Sequence, residues 1–148
     1  MKKNILFLFL FFLFVIFIKN SYALYNSCFN YASFKYNLPP KLIKAVAKVE
    51  SNINPSAIDY DSNGSYDYGV MQINTIWYPL IKFEWNSLAD PCDNIIFGSW
   101  IIKKCAIRYS YNFNKTITCY HMGAGNIRYK EKLDQKYVRM VAYYYEKN

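Results

Sequence analysis

The sequence predicts a single, mainly α-helical domain that follows a short export signal. Apolar residues recur at three- and four-residue spacing in several separate segments, which is the pattern of helices with one buried face. Proline or aspartate stands where several of these segments begin, and both residues are favoured at helix starts. Residues 24–148 suit one hydrophobic core, because no repeat or Pro/Gly-rich linker divides them.

Residues 1–23 have the features of a secretory signal peptide. Lys2 and Lys3 precede an apolar run from Ile5 to Ile18, and small residues at Ser21 and Ala23 offer cleavage after Ala23. A retained anchor is the alternative, but these 14 apolar residues are fewer than the roughly 18–20 that cross a bilayer. The sequence therefore predicts a soluble mature protein of the periplasm, with no stable membrane insertion.

The net charge of the chain is strongly positive. Cleavage after Ala23 removes three lysines and no acid, so the net charge falls from +8 to +5. An exported basic protein suits a polyanionic partner such as peptidoglycan with its peptide carboxylates, although a solvated lysine-rich surface explains the charge as well. Lys and Arg are scattered and form no nucleic-acid-binding motif, so no nucleic-acid partner is expected.

The first two helices are predicted from Asn26 to Tyr36 and from about Pro40 to Ser51, separated by a proline pair that stops one and opens the next. Glu50 ends the second helix on the same face as Ile43 and Val46, which a helix normally turns toward the core. Burial raises the pKa of a carboxyl group, here to roughly 6 by comparison with acids in apolar pockets, so Glu50 is a candidate general acid. The alternative is that Glu50 lies in solvent at a frayed helix end and pairs with a lysine such as Lys48.

The polar segment from Asn52 through Tyr68 is predicted to be a loop, with turn signals at Asn54-Pro55 and Asn63-Gly64. Within it, Asp59-x-Asp61-x-Asn63-Gly64 matches the first half of a calcium-binding loop. The twelfth position, which should supply a bidentate glutamate, is Val70. An Asx-rich turn is the commoner explanation. The sequence therefore predicts no metal ion and no cofactor.

Three further helices follow. Asp90 and Pro91 begin a broadly apolar one that we expect at the centre of the fold, with Gly98 marking a close helix crossing. A helix through Ile117 to Met122 should end in a left-handed cap at Gly123. Asp134 is predicted to cap the last helix, whose inward face holds the residues Tyr137, Val138, Val141 and Tyr144 or Tyr145.

The four cysteines all lie after the export signal, at positions Cys28, Cys92, Cys105 and Cys119. Their even number in an oxidising compartment predicts two disulfides, with three possible connectivities. Zinc binding is disfavoured because the sequence has no Cys-x-x-Cys pair.

Three short blocks resemble the lytic transglycosylase family of the lysozyme superfamily, in that family's order and spacing: Glu50-Ser51, the Gly-x-Met-Gln-Ile-Asn block from Gly69 to Asn74, and the segment from Cys119 to Gly125. The likeness spans roughly Cys28 to Tyr145 and is greatest to the small transglycosylases of type III and type IV secretion and conjugation systems. It implies a lysozyme-like α-helical domain, partners in such an apparatus, and a monomer. It also favours the pairs Cys28–Cys92 and Cys105–Cys119.

The resemblance implies a reaction that needs one carboxyl group, whereas most glycosidases use two. Glu50 would protonate the glycosidic oxygen between N-acetylmuramic acid and N-acetylglucosamine and then deprotonate the muramic C6 hydroxyl, closing a 1,6-anhydro ring. The nearest acids, including Asp67, lie in the polar loop. Two alternatives remain: a hydrolytic muramidase assisted by Asp67 or another loop acid, and a non-catalytic glycan-binding component of a secretion apparatus.

The resemblance also implies supporting residues. Ser51 would orient Glu50 or the substrate acetamido group, Met71 and Gln72 would line the sugar cleft, and Tyr120 would hydrogen-bond near the catalytic carboxyl; Asn74 is a weaker candidate. Core packing is the alternative for Met71, and Tyr120 is one of 16 tyrosines. His121, the only histidine, stands where the family usually has asparagine, and Met122 where it has alanine.

Overall fold

The computed structural model describes residues 25–82, 84–125 and 127–147. The predicted signal peptide and its cleavage site lie outside these residues. In the described part of the chain, no helix combines the length and apolar character needed to cross a membrane.

The predicted mainly α-helical fold is confirmed. The helices are α1 at 25–36, α2 at Pro40–Ser51, α3 at Tyr78–Ile81, α4 at Pro91–Arg108, α5 at Phe113–Met122, α6 at Ile127–Leu133 and α7 at Gln135–Lys147. Two 3₁₀ turns, Thr75–Trp77 and Trp85–Ala89, flank α3. One core joins the buried faces of α1, α2, α4, α5 and α7.

The segment predicted as a loop is in part a β-sheet, so that prediction was wrong in detail. Strands β1 (Ile58–Tyr60), β2 (Tyr66–Tyr68) and β3 (Ile73–Asn74) form an antiparallel sheet in the order β1-β2-β3. Each strand has two or three residues and β1 is wholly exposed. Strands this short show too few alternations for the period-two pattern to be recognised.

Helix α4 begins at Pro91, as predicted, and eight of its 18 residues are buried. Oδ1 of Asp90 accepts hydrogen bonds from the backbone N–H groups of Cys92 (2.8 Å) and Asp93 (3.2 Å), so Asp90 is its N-cap. Gly98 lies against Met71, whose Cβ would be 2.6 Å from an added Cβ. The close neighbour is therefore the segment before β3, where a second helix was expected.

The ends of α5 and the start of α7 depart slightly from the sequence prediction. Helix α5 ends at Met122, and its C-cap Gly123 has φ 74° and ψ 168°. The positive φ favours glycine, but the ψ differs from that of the expected left-handed helical cap. Asp134 precedes α7 as predicted, yet its side chain bonds to His121.

The structure contains both disulfides in the pairing that the resemblance implies. Cys28–Cys92 joins α1 to α4, and Cys105–Cys119 joins α4 to α5. On the chain-entropy model, closing loops of these lengths stabilises the fold by about 4 and about 3 kcal/mol, respectively. The second disulfide fixes the two helices whose facing residues form one side of the candidate site.

Candidate active site

A cleft of about 890 Å³ lies beside the C-terminal end of α2. Its lining is contributed by α2, the sheet segment, α4 and α5. The lining residues are Glu50, Asp61, Asn63, Ser65, Asp67, Gln72, Asn74, Ile76, Trp77, Ile101, Lys104, Cys105, Ile107, Arg108, Cys119, Tyr120, His121, Met122, Gly123 and Ala124.

Glu50 lines this cleft at the end of α2, and α2 is packed against the core. Ile43, Val46 and Ala47, which share its face, are fully buried. The pKa of the Glu50 carboxyl is raised to about 7, mainly by burial; a hydrogen bond from Tyr137 lowers it, and the nearby charges of Asp67 and Asp134 raise it. Glu50 can therefore be protonated near neutral pH, as the sequence predicted, although the value lies above the expected one.

Tyr137 is the direct partner of Glu50. Its hydroxyl donates a hydrogen bond to Oε1 of Glu50, and burial raises the pKa of the Tyr137 phenol well above its usual value of 10.0. The phenol is thus a neutral donor at physiological pH. Sequence reasoning placed Tyr137 on the inward face of α7 but gave it no polar role, because an apolar stripe does not show where a hydroxyl points.

Tyr120 lines the cleft, and its hydroxyl bonds to the backbone. It donates to the carbonyl oxygen of Met71 at 2.6 Å. Burial raises the pKa of the Tyr120 phenol well above its usual value, and the negative charges of Glu50 and Asp67 add to this. Met71 itself has a fully buried side chain packed against Gly98 and is not among the residues that line the cleft; its carbonyl group accepts the bond from Tyr120.

The other residues proposed from the resemblance lie close together around the 69–74 block. The hydroxyl of Ser51 donates to the carbonyl of Val70 at 2.7 Å, which ties α2 to this block. Gln72 lines the cleft, and its Nε2 donates to the carbonyl of Gly69 at 2.8 Å. Asn74 also lines it, and its Nδ2 donates to Oδ2 of Asp61 at 3.0 Å.

Asn94 of α4 is a structural residue of the site that sequence reasoning missed. It is buried; its Oδ1 accepts from the N–H of Met71 at 2.7 Å, and its Nδ2 donates to the carbonyl of Tyr68 at 3.0 Å. Gly69 has φ +79°, and a Cβ there would lie 2.4 Å from Nδ2 of Asn94. Asn94 therefore positions the backbone of the 69–74 block. A side chain at position 69 would displace Asn94.

His121 and Asp134 form a pair against Tyr137. Nδ1 of His121 lies 2.7 Å from Oδ1 of Asp134, and the imidazole stacks on the Tyr137 ring with centroids 4.0 Å apart and planes 6° from parallel. The Asp134 side chain is only 3% exposed, against 44% for His121. The pair contacts Tyr137, which in turn donates a hydrogen bond to Glu50. It is a second feature that sequence reasoning missed.

Asp67 is the second acid in the cleft with a shifted pKa. Burial is the main cause of the raised pKa of its carboxyl, and the charges of Asp61 and Asp59 add to it. A hydrogen bond with Asn74 lowers this pKa, and so does the proximity of His121. Among the described residues, no three His, Cys, Asp or Glu side chains are grouped closely enough to hold a metal ion.

The helical fold, the two-disulfide core and a cleft built around a protonatable glutamate define a lysozyme-like domain. Residues 27–140 match the Transglycosylase SLT domain family, and the chain belongs to that family. It is 28% identical to protein IpgF of Shigella flexneri over 125 residues, covering 78% of this chain and 82% of IpgF.

Two other relatives support the same assignment. The chain is 29% identical to invasion protein IagB of Salmonella typhimurium (strain SL1344) over 140 residues, covering 88% of this chain and 87% of IagB. It is 39% identical to a peptidoglycan-binding-like protein of Escherichia coli O157:H7 over 114 residues, covering 70% of this chain and 68% of that protein.

Proposed function

We propose that this protein is a peptidoglycan lytic transglycosylase that cleaves the β-1,4 bond between N-acetylmuramic acid and N-acetylglucosamine, with Glu50 as the catalytic residue. The observation that carries the proposal is the Glu50 carboxyl, whose pKa of about 7 leaves it able both to give and to take a proton near neutral pH. Membership of the SLT family supports the same reaction class.

In the first step, Glu50 gives its proton to the glycosidic oxygen as the bond from C1 to that oxygen breaks. The carbonyl oxygen of the sugar's own 2-acetamido group stabilises the positive charge that develops at C1. Tyr137 then serves as the donor that stabilises the Glu50 carboxylate left behind, since its hydroxyl donates to Oε1.

In the second step, the Glu50 carboxylate takes the proton from the muramic C6 hydroxyl. The C6 oxygen bonds to C1, the acetamido oxygen leaves C1, and a 1,6-anhydro ring closes. Glu50 ends the cycle protonated, as it began, and no water is consumed. One residue with a pKa near neutrality therefore serves both steps.

The cellular role that we propose is local opening of the cell wall for a secretion or conjugation apparatus. The resemblance to the small transglycosylases of such systems supports it, and so does the similarity to a protein named for invasion, IagB. We propose in addition that the protein acts in the periplasm as a monomer after loss of residues 1–23.

A hydrolytic muramidase is the second candidate, because Asp67 lies in the same cleft and its charge influences Glu50. In that reaction water would take the place of the C6 hydroxyl. A second carboxylate within reach of Glu50 is what a hydrolytic glycosidase requires.

Digestion of purified sacculi followed by mass spectrometry of the muropeptides tests both candidates. The transglycosylase product carries a 1,6-anhydro end and is one water lighter than the hydrolytic product. Glu50→Gln should reduce cleavage by about 10²-fold or more, because the amide cannot transfer the proton. Asp67→Asn should leave anhydro products as the main class; loss of all cleavage in Asp67→Asn together with hydrated ends in the wild type would favour the muramidase.

A further inference from the structure

We propose that Lys104 and Arg108 form a carboxylate-binding wall of the cleft that recognises the stem peptide carried by the muramic acid residue. This inference rests on the proposed function, because it identifies which form of the glycan strand the cleft accepts. Neither residue takes part in the proton transfers described above.

The two cations belong to one face of α4. Ile101, Lys104, Cys105 and Arg108 all line the cleft, and their spacing of three, four and seven residues places them on one side of the helix. Ile101 and Cys105 are buried, whereas Lys104 and Arg108 are exposed. The buried pair thus fixes this face against the fold while the two charged groups remain open to a ligand in the cleft.

The position of this face relative to Glu50 is held by a covalent link. Cys105, between the two cations in sequence, is bonded to Cys119 of α5. Cys119 is followed directly by Tyr120 and His121, which line the cleft near Glu50. The cationic wall and the catalytic region therefore form one rigid frame, so a substrate bound at both must fit their fixed separation.

Lys104 and Arg108 have no acidic partner in the described part of the chain, where the one ion pair joins His121 to Asp134. The Lys104 ammonium lies over the Trp100 ring, 5.3 Å from its centroid. By contrast, neighbouring Lys103 does not line the cleft, and its Nζ donates to the Tyr111 hydroxyl at 2.7 Å. No acidic side chain of the described residues therefore competes with a ligand for Lys104 or Arg108.

The charges in the cleft come from separate elements. The acids Glu50, Asp61 and Asp67 come from α2 and the sheet segment, and the cations come from α4. The sugar rings of a glycan strand bear no charge of their own. The stem peptide bears several carboxylates, and an arginine guanidinium binds a carboxylate through two parallel hydrogen bonds. The α4 wall therefore suits the peptide, while the sugars occupy the side that holds Glu50.

Carboxylates on the strand have two sources, and three soluble substrates distinguish them. The first carries intact stem peptides. The second has had its peptides removed by an amidase, which leaves the free lactyl carboxylate of muramic acid. The third keeps its peptides, with their carboxylates converted to amides. Steady-state kinetics on each gives kcat and KM for the full-length mature protein.

For Lys104→Gln/Arg108→Gln we expect KM on peptide-bearing strands to rise about tenfold at low salt, with kcat changed less than about twofold, because two exposed charge contacts are lost. The increase should disappear on amidated strands and on strands without peptides, and it should shrink as salt screens the charges. The matched control Lys103→Gln/Arg128→Gln removes the same charge from a half-buried and an exposed position outside the cleft and should leave KM unchanged.

An unchanged KM in the cleft variant, or an equal rise in the control, would overturn this proposal while anhydro products continued to form and the proposed function stood. An equal rise on strands that carry only the lactyl carboxylate would also overturn the peptide assignment. If the wild type formed no anhydro products, the proposed function would fail instead. Co-sedimentation of the same variants with intact sacculi, in a Glu50→Gln background, would then still test the binding wall.

Discussion

The hydroxyl of Tyr137 donates to Oε1 of Glu50 across 87 residues of chain, which joins the last helix to the end of α2 at the centre of the cleft. This bond favours the ionised carboxyl, whereas burial favours the protonated one. Burial has the larger effect, so the pKa of Glu50 is about 7 instead of 4.5. The two opposing effects allow one residue to act first as an acid and then as a base.

Tyr137→Phe should raise the pKa of Glu50 above about 7, because it removes the hydrogen bond that lowers it. A hydrogen bond to a charged group is worth about 1.5–3 kcal/mol, so the alkaline limb of the pH–activity profile should move up by about one to two pH units. Activity at the optimum should fall as the carboxylate loses its donor. Tyr31→Phe, an exposed position on α1, is the control, and an unmoved alkaline limb in Tyr137→Phe would contradict the assignment.

His121→Phe tests the pair that supports Tyr137. The phenyl ring can keep the stack on Tyr137 but leaves the buried Asp134 carboxyl without its partner. We expect a loss of about 1–3 kcal/mol in the free energy of unfolding, the usual effect of an unsatisfied buried polar group. A double-mutant cycle with Asp134→Asn, measured by urea unfolding, should show coupling between the two sites. Strictly additive effects would mean that the pair is not an energetic unit.

The longer helices follow from the sequence because each has a start signal or an apolar stripe. The short helices α3 and α6 bury no residue and were not predicted. Pro40 begins α2 and Asp90 caps α4, as their residue types predict. The apolar stripe that predicted α2 also singled out Glu50, because a carboxyl group is unusual among apolar residues. The residues that give such a signal lie in adjacent turns of one helix, so the signal can be recognised without the tertiary structure.

Tyr137 and the sheet could not be predicted in this way, for physical reasons. The bond from Tyr137 to Glu50 depends on how α7 packs against α2, which no local pattern encodes. The short strands are held by the turns between them and by Asn94, and their own pattern is weak. Asn94 did leave a signal, since it stands on the apolar stripe of α4 that continues through Gly98 and Ile102, and the reasoning applied to Glu50 would have found it.

Asn94→Ala should destabilise the protein and disturb the site together. The substitution leaves the N–H of Met71 and the carbonyl of Tyr68 without their bonds to this side chain, in a buried position. With about 1–3 kcal/mol for each of the two unsatisfied groups, we expect a loss of about 2–6 kcal/mol in the free energy of unfolding. Urea unfolding measures it, with the exposed Asn26→Ala as control. A loss no larger than that of the control would show that Asn94 does not hold the 69–74 block.

Glu50→Gln should make the folded protein more stable than the wild type above pH 7. The folded-state pKa of Glu50, about 7, lies above the value of 4.5 for the free group. Between these values the folded protein holds a proton that the unfolded chain has lost, so wild-type stability declines as pH rises through this window. The decline amounts to about 3 kcal/mol at about 1.4 kcal/mol per pH unit. Glutamine does not titrate, and its carbonyl can still accept a hydrogen bond from Tyr137. The stability of the variant should therefore not decline through this pH window.

Urea unfolding at pH 5 and pH 8 measures the effect as a difference between variant and wild type, which cancels the other titrating groups that both share. The difference should favour Glu50→Gln at pH 8 by up to about 3 kcal/mol and should shrink to about 1 kcal/mol at pH 5, because the wild-type carboxyl is then protonated in the folded state and not yet fully ionised in the unfolded one. Glu146→Gln, at an exposed position of α7, should show no such dependence. A Glu50→Gln protein that is less stable than wild type at pH 8 would mean that the folded protein stabilises the ionised carboxylate. Glu50 would then be a structural ion-pairing residue, and its role as a proton donor in the cleft would have to be given up.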